Sequence, residues 1–392
     1  MIYFSIQVQF MKILKFCESA FVLFSCILIG NTSMLKASEP FPSLSELYKD
    51  DFQLGTALSI RKTSGFSSPA FKLAKYHFNQ VTAENYHKWS PIHPEEDKWN
   101  FEMADKLVAW CDKNSISVVG HVFFWHSQCP EWVFQNEKGG LVSKEKLISR
   151  MEHHAKTLAN RYGNIKTWDV VNEAVEGNGM RKSKWYKILK DDFIPIAFKI
   201  AKKVAPHAKL VYNDYSTTNQ KKRQQIIKLI KNLKSKKIQI DAVGMQAHWG
   251  LKSPSIKEIE KTILAFANEG VKVHITELDI DVLPNAWKYR GADINVRFEH
   301  KKEIDPYTEG LPENIAEKLA DRYEEIFKLF LKHSNKIDRV TFWGLADGMS
   351  WKNNFPVKGR TNYPLLFNRK LEPKKAAYRV AALKGWEPKR TQ

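Results

Sequence analysis

Short β-prone runs recur along this sequence, and each is followed by a longer segment with apolar residues at helical spacing. This alternation is typical of βα units, because a parallel strand needs a long crossover connection that is usually a helix. Eight such runs predict one α/β domain with the (β/α)8, or TIM, barrel architecture. The predicted strands are residues 52–57, 78–83, 117–123, 167–171, 209–213, 242–246, 272–276 and 339–343.

The chain after residue 37 is expected to form a single domain. It contains no internal repeat, low-complexity tract or Gly/Ser-rich linker. The full sequence of 392 residues is 43% hydrophobic and 27% charged, which lies in the range of ordinary globular proteins, so a full core is expected. We therefore interpret 38–392 as one catalytic barrel domain. Predicted helices include residues 102–114, 144–162, 255–268 and 314–333.

Polar and aromatic side chains collect where the predicted strands end. In a (β/α)8 barrel, the carboxyl ends of the strands form the catalytic face. The pattern therefore predicts a site built from several strands at once. The residues at these ends are Glu84 and Asn85, His121 to His126, Asn172 and Glu173, Asn213 and Asp214, Gln246 and His248, Glu277 and Asp279, and Trp343.

Two of these residues, Glu173 and Glu277, are glutamates that directly follow apolar strands. A pair of carboxylates facing one cavity suggests glycoside hydrolysis, in which one group protonates the leaving oxygen and the other attacks the anomeric carbon. Retention of configuration requires the two groups to lie ~5–5.5 Å apart, and different strands of one barrel can supply that spacing.

At this point the sequence resembles glycoside hydrolase family 10, the barrel endo-xylanases, across nearly the whole chain after residue 37. Each motif alone is weak, but seven in order, each at a predicted strand end, are specific. The motifs are Glu84-Asn85-Tyr86-His87-Lys88-Trp89, Gly120-His121 through Trp125-His126-Ser127-Gln128, Trp168 through Glu173, Asn213-Asp214-Tyr215, Gln246-Ala247-His248, Thr276-Glu277-Leu278-Asp279, and Trp343-Gly344 through Trp351.

The resemblance implies a retaining endo-1,4-β-xylanase in which Glu277 is the nucleophile and Glu173 the acid/base. The negative charge of Glu277 would disfavour ionisation of Glu173 until Glu277 is esterified, which is the change of role that double displacement needs. Asn172 is expected to bind the 2-hydroxyl of the sugar at the cleavage site. Replacing Glu277 with Gln should abolish turnover.

The resemblance also implies how the sugar is held. His248 and Asp279 are expected to hold Glu277 in place, although structural hydrogen bonding explains Asp279 equally well. Aromatic faces stack on pyranose rings while charged and amide groups bind hydroxyls, so a mixture of both suits a sugar. Trp89, Trp110, Trp132 and Trp168 are interpreted as core residues or as support for the motifs. The expected substrate-binding residues are Glu84, Asn85, Lys88, His121, Trp125, Gln128, Asn172, Tyr215, Gln246, His248, Trp343 and Trp351.

We expect no metal and no cofactor. His121, His126 and His248 lack HExxH or comparable spacing, and the resemblance implies no catalytic metal. Tyr86-His87 replaces a Glu-Met pair common in the family, and Cys129 stands where an aliphatic residue is usual. The segment 283–312 is longer than a typical βα loop and should overhang the cleft. It either adds leaving-side sugar contacts or covers the barrel rim.

The first 37 residues have the layout of a signal peptide, with basic residues before an apolar run over 21–29 and small residues near position 37. The run is shorter than the ~20 residues of a transmembrane helix, so export to the periplasm or outside is favoured over stable membrane insertion. Translation could begin at Met11, and lipidation at Cys26 ranks second. Cys111 and Cys129 remain as either one disulfide or two free thiols.

The formal net charge of +19 falls only to about +17 without residues 1–37. Lysines spread over 221–237 at solvent-facing spacing, with no nucleic-acid motif, favour a solvated basic surface over a nucleic-acid partner. The expected partner is xylan or a xylo-oligosaccharide, bound by a monomer. Two alternatives remain: a barrel hydrolase acting on another β-glycan, and a catalytically inactive xylan-binding protein.

Overall fold

The barrel is closed by eight parallel strands, here β1 to β8. The computed structural model describes residues 41–63, 65–291 and 299–387. Each strand pairs with the next, and β8 pairs with both β7 and β1, which confirms the predicted (β/α)8 barrel. The strands are β1 Gln53–Leu58, β2 Gln80–Ala83, β3 Ser117–Trp125, β4 Thr167–Asn172, β5 Lys209–Asp214, β6 Ala242–Met245, β7 Lys272–Asp281 and β8 Ile337–Phe342.

One long helix follows each strand. The four helices predicted from the sequence all occur, with ends that differ from the prediction by a residue or two. The helices are α1 Pro69–His77, α2 Glu102–Lys113, α3 Lys144–Arg161, α4 Phe193–Val204, α5 Gln220–Ser235, α6 Ile256–Ala267, α7 Glu313–Lys332 and α8 Lys375–Ala382.

Shorter elements decorate the loops between strands and helices. A short strand, His248–Gly250, extends the edge of β7 beyond β6 by pairing with Asp279–Asp281. Val175–Glu176 and Gly179–Met180 form a small hairpin after β4. The short helices are Leu44–Leu47, Ile60–Lys62, Trp89–Ile92, Glu131–Val133, Lys184–Leu189, Lys190–Asp192, Trp287–Tyr289, Lys301–Ile304, Ser334–Lys336, Asp347–Met349 and Trp351–Asn353.

Burial on both faces explains why the strands read as nearly continuous apolar runs. In β4, for example, Trp168, Val170 and Val171 are all buried. The Trp168 ring lies against Gly120 of β3, where a Cβ would come within 2.0 Å of a ring carbon. A glycine is therefore required at this point for two neighbouring strands to accommodate the indole.

The helices bury one face against the barrel and are started by polar caps. In α7, Tyr323, Phe327 and Phe330 are buried at spacings of three and four residues, as on one face of a helix. Ser143 Oγ accepts from the amide of Lys146 at the start of α3. Such a cap satisfies a backbone donor that the helix leaves free, and is worth about 1 kcal/mol.

Some expectations concern residues outside the described ranges, and others can be compared directly with the structure. The proposed signal peptide at 1–37, with Met11 and Cys26, lies outside the described part of the chain, as do residues 292–298 of the segment 283–312. Cys111 and Cys129 are free thiols. Within the described ranges, no helix combines the length and hydrophobicity needed to cross a bilayer. The same residues contain no cluster of His, Cys, Asp and Glu arranged to hold a metal ion.

One expectation about charge was wrong. Lys222 is not a solvated lysine of α5: it is buried, and its ammonium lies 2.6 Å from Oδ1 of Asp214. The neighbouring Lys221 is exposed. The physical reason is that the first turn of α5 lies over the end of β5, so one lysine in the row meets a buried carboxylate while the others face water.

Candidate active site

Glu173 follows β4 directly, and its backbone is in the left-handed region with φ +59°. Non-glycine residues rarely adopt this conformation, and those that do are concentrated at functional sites. The conformation is held from two sides. The Glu173 amide donates to the carbonyl of Asn213 at 2.9 Å, and Nε of Arg181 donates to the Glu173 carbonyl at 2.7 Å.

Three donors surround the Glu173 carboxylate. Nε1 of Trp125 donates to Oε2 at 3.0 Å, and Nε2 of Gln246 donates to Oε1 at 2.9 Å. Nδ2 of Asn172 is 3.3 Å from the same Oε1. These donors come from β3, from β4 and from the loop after β6, so the orientation of one carboxylate depends on three parts of the barrel.

Glu277 lies within β7, and its side chain is almost completely buried. Nδ2 of Asn213 donates to its Oε1 at 2.9 Å, and Nε2 of His248 lies 3.0 Å from its Oε2. Oδ1 of Asn213 accepts from the Thr276 hydroxyl at 2.7 Å, which fixes the amide so that its nitrogen points at Glu277. The carboxylate is therefore held at both oxygens.

A continuous amide network joins the two glutamates. Asn213 donates to Oδ1 of Asn172 at 3.1 Å as well as to Glu277. Gln246 donates to the same Asn172 oxygen at 3.2 Å as well as to Glu173. The structure thus brings Glu173 and Glu277 to one mouth of the barrel and fixes the orientation of all three amides between them.

His248 is held between two carboxylates. Its Nδ1 lies 3.0 Å from Oδ2 of Asp279, on the side of the ring opposite Glu277. Burial lowers the pKa of His248, but Asp279 and Glu277 more than offset this and raise it to about 9. Asp279 also accepts from Nε1 of Trp351 at 2.8 Å and lies 3.6 Å from the Lys352 ammonium. Asp279 therefore holds both the histidine and a wall of the site.

The floor of the barrel carries a second buried ion-pair chain. Nδ1 of His121 lies 2.8 Å from Oδ2 of Asp169, and Arg339 donates to Oδ1 of Asp169 at 3.2 Å. Nε of Arg339 also donates to Nδ1 of His274 at 3.0 Å. Burial raises the pKa of Asp169, but His121 and Arg339 outweigh it, so the pKa lies below its ordinary value. This chain fixes the His121 ring, whose other side faces Trp343 at a centroid distance of 5.4 Å.

The polar residues after β2 include Glu84, Asn85 and Lys88, which the resemblance implies as substrate-binding residues. Asn85 accepts from the Lys88 ammonium at 2.9 Å, and Glu84 accepts from Lys62 at 2.6 Å. The Lys88 ammonium lies 4.8 Å from the centre of the Trp125 ring. Burial lowers the pKa of Lys88, and the nearby carboxylates, with Glu277 the strongest, oppose that effect.

Gln128 and Tyr215 lie on the rims of the same mouth. Gln128 has φ +46°, and its carbonyl accepts from the Ser90 amide at 2.8 Å. The Tyr215 hydroxyl accepts from Arg181 at 2.6 Å, and the Lys222 ammonium lies 3.6 Å from the centre of the Tyr215 ring. Tyr215 is thus linked through Arg181 to the backbone of Glu173.

Behind Tyr215, Asp214 is fully buried. Burial raises its pKa to about 6, although Lys222 and the Tyr212 hydroxyl at 2.5 Å lower it. The ion pair between Asp214 and Lys222 was missed by sequence reasoning.

Other contributors to the site were missed as well. Asn213 lies in one of the seven motifs, at the end of a predicted strand, so its position marked it as a site residue. Its contact with Glu277 was not predicted. Lys62 and Lys352 offered no signal, because their carboxylate partners are distant in sequence. Arg181, which holds Glu173, follows the short strand Gly179–Met180, which the sequence did not predict.

Comparisons with known proteins show the family to which this chain belongs. The family model for glycosyl hydrolase family 10 matches residues 43–383. The endo-1,4-beta-xylanase A of Xylanibacter ruminicola is 41% identical over 344 residues, which cover 87% of this chain and 93% of that protein.

Solved structures give the same picture. A GH10 endoxylanase from a sugarcane soil metagenome is similar with a TM-score of 0.82 and 49% identity, covering 87% of this chain and 99% of that one. A mutant in complex with xylotriose has a TM-score of 0.78 and 38% identity, covering 86% and 99%. The chain therefore belongs to glycosyl hydrolase family 10 and is a glycoside hydrolase.

Proposed function

We propose that this chain is a retaining endo-1,4-β-xylanase that hydrolyses internal β-1,4-xylosidic bonds of xylan, with Glu277 as nucleophile and Glu173 as acid/base. Two kinds of similarity support the substrate. The curated relative from Xylanibacter ruminicola is named an endo-1,4-beta-xylanase, and one similar solved structure holds xylotriose. The observation that carries the mechanism is the amide network that joins Glu173 to Glu277 across the barrel mouth.

In the first step, a carboxylate oxygen of Glu277 attacks the anomeric carbon while the bond from that carbon to the departing sugar oxygen breaks. Glu173 gives its proton to the departing oxygen, so the leaving sugar departs as an alcohol. The product is a glycosyl ester on Glu277. The donors on Glu277 suit this role, because Asn213 and His248 orient the carboxylate without occupying every lone pair.

In the second step, Glu173 takes a proton from a water molecule whose oxygen attacks the same carbon. The ester bond breaks, Glu277 returns to the carboxylate, and the two inversions give net retention. The contacts of Glu173 suit an exchange of protons, since Trp125 and Gln246 hold the carboxylate by neutral donors rather than by a fixed cation. The left-handed backbone of Glu173 further limits how its side chain can move.

Asn172 is placed to bind the sugar at the cleavage site. Its Oδ1 accepts from both Asn213 and Gln246, so the amide cannot flip without losing two hydrogen bonds. Its Nδ2 therefore faces the region between the glutamates. A donor fixed there binds a sugar 2-hydroxyl, and such a contact strengthens as charge develops at the anomeric carbon.

The test measures reducing-sugar release and product sizes from glucuronoxylan, arabinoxylan, carboxymethylcellulose and mixed-linkage glucan. We expect xylo-oligosaccharides from the two xylans, the β-anomer as first product by NMR, and loss of turnover in Glu277→Gln. Glu325→Gln on the exposed face of α7 is the matched control and should keep full activity.

Other outcomes would replace the proposal. Activity confined to glucans would keep the hydrolase and discard xylan as substrate. Normal turnover by Glu277→Gln would overturn the assigned nucleophile, and an α-anomer as first product would overturn retention. Binding to xylan without hydrolysis of any substrate would identify an inactive binding protein.

The cellular location is a separate proposal. We infer export from the signal-peptide layout of residues 1–37, with release outside the cytoplasm. Mass spectrometry of the amino terminus of the protein secreted by its own host tests this directly. A new amino terminus near residue 38 is expected, and an intact terminus or a lipid on Cys26 would contradict it.

A further inference from the structure

A strip of three aromatic rings leads outward from the proposed nucleophile. Trp351 lies 4.9 Å from the His248 ring between centroids, and it stacks on Phe355 at 5.2 Å with an interplanar angle of 22°. Phe355 meets Trp287 at 5.3 Å, edge to face. Trp351 and Phe355 are each partly exposed. The strip therefore runs from His248, which contacts the Glu277 carboxylate, to the surface.

Trp287 stands at the outer end of this strip and is 54% exposed, the highest value among the large hydrophobic side chains in the described ranges. Arg290 lies over one region of the ring at 5.6 Å and also covers Phe355 at 5.7 Å. Arg290 and Phe355 cover part of its surface, and more than half of the side chain is open to solvent. A large exposed indole beside a binding cleft is typical of a surface that meets a ligand.

The backbone under Trp287 is anchored rather than free. Arg360, which is buried, donates to the carbonyls of Pro284 and Ile304 at 3.4 Å and of Phe355 at 3.1 Å. The Trp287 amide donates to Oδ1 of Asn285 at 2.9 Å. One guanidinium therefore ties the turn that carries Trp287 to the loop that carries Phe355. A platform fixed in advance loses little conformational freedom when a ligand binds.

We infer that Trp287 is a distal sugar-binding platform of the cleft, where its exposed indole stacks on a pyranose ring of the bound polysaccharide beyond the units at the cleavage site. The inference rests on the proposed function, because it extends the same cleft. Trp287, in the segment 283–312, thus contacts substrate, so its turn does more than cover the barrel rim. An exposed aromatic face accepts a neutral sugar ring, and Arg290 adds donors for its hydroxyls.

The test compares kcat/KM on xylohexaose with kcat/KM on xylotriose for the wild type and for Trp287→Ala. A distal platform touches only the longer chain, so the hexaose-to-triose ratio should fall roughly three- to tenfold, the factor that one aromatic contact supplies. Trp287→Tyr should restore most of the ratio. In a Glu277→Gln background, titration calorimetry with xylohexaose should show a matching loss of affinity on adding Trp287→Ala.

Tyr76→Ala is the matched control. Tyr76 is 49% exposed but lies at the end of α1, which leads into β2 at the barrel face opposite the site. Its ratio should equal that of the wild type. An unchanged ratio and affinity in Trp287→Ala would overturn the platform while leaving the xylanase proposal intact. Failure of the wild type to cleave either oligosaccharide would instead overturn the proposed function.

Discussion

Nε2 of His248 lies 3.0 Å from Oε2 of Glu277, while Nδ1 of the same ring lies 3.0 Å from Oδ2 of Asp279. The pKa of His248 is about 9, so the ring is an imidazolium at neutral pH. Because this pKa is raised, the ion pairs are fully present below the ordinary histidine pKa and are lost as the pH rises through about 9.

We therefore predict that activity falls as the pH rises through about 9. In Asp279→Asn this fall should occur at a pH lower by roughly one unit or more, because an opposite charge at this distance shifts a pKa by that amount. The measurement is kcat/KM on xylan against pH. Asp321→Asn, on the exposed surface of α7, serves as the control. If kcat/KM of Asp279→Asn falls at the same alkaline pH as that of the wild type, Asp279 does not set the charge of His248.

The second prediction concerns the proposed acid. Glu173→Ala should slow hydrolysis of xylan by about 10²–10⁴-fold, which is the usual contribution of a general acid. An aryl xylobioside whose leaving group needs no proton should still react with Glu277 in the first step. Rapid-mixing kinetics should then show a burst of released phenol, because the second step lacks its base. An equal loss on both substrates would mean that Glu173 has another role.

The third prediction concerns the buried ion pair behind Tyr215. Lys222→Met leaves Asp214 buried without its cation, which typically costs about 3–5 kcal/mol. Lys221→Met, one residue away and exposed, should change the free energy of unfolding by no more than about 0.5 kcal/mol. Urea denaturation of both variants measures the difference. Equal stabilities would contradict the buried pair.

The fourth prediction concerns acid stability. His87 is fully buried against Tyr162 and Trp168, and neither ring nitrogen has a hydrogen-bond partner among the described residues. Burial is the main reason that its pKa falls to about 3, with His121 also lowering it. In the unfolded chain this histidine binds a proton near its ordinary pKa of about 6.5, whereas in the folded protein it does so only near pH 3. The folded state therefore loses stability as the pH falls below about 6.5.

His87→Leu should remove this loss. Relative to the wild type, the variant should gain about 2 kcal/mol between pH 7.5 and pH 5. It should also be at least as stable at neutral pH, because burying an unpaired polar ring is costly. Urea midpoints at the two pH values measure the change. A variant with the same pH dependence as the wild type would show that His87 takes up no proton on unfolding.

Much of the architecture could be predicted because barrel strands carry a local signal. Runs such as 117–123 and 167–171 are mostly apolar, and each is followed by a helical pattern, so their order along the chain implied the barrel. The site followed from the same logic. Once the strands are parallel, Glu173 and Glu277 must emerge at the same end, whatever the details of packing.

The tertiary structure alone decided which polar side chains meet. Lys221 and Lys222 are identical in type and adjacent in sequence, yet only Lys222 reaches a carboxylate, since helix rotation and docking select one face. Lys62 pairs with Glu84, and Lys352 pairs with Asp279. The partners in each pair are far apart in sequence, and the local sequence does not determine the loop conformations that bring them together. Apolar periodicity therefore determined the barrel and the end at which the site lies, whereas ion pairs and the amide network depend on distances of a few ångströms that only long-range packing sets.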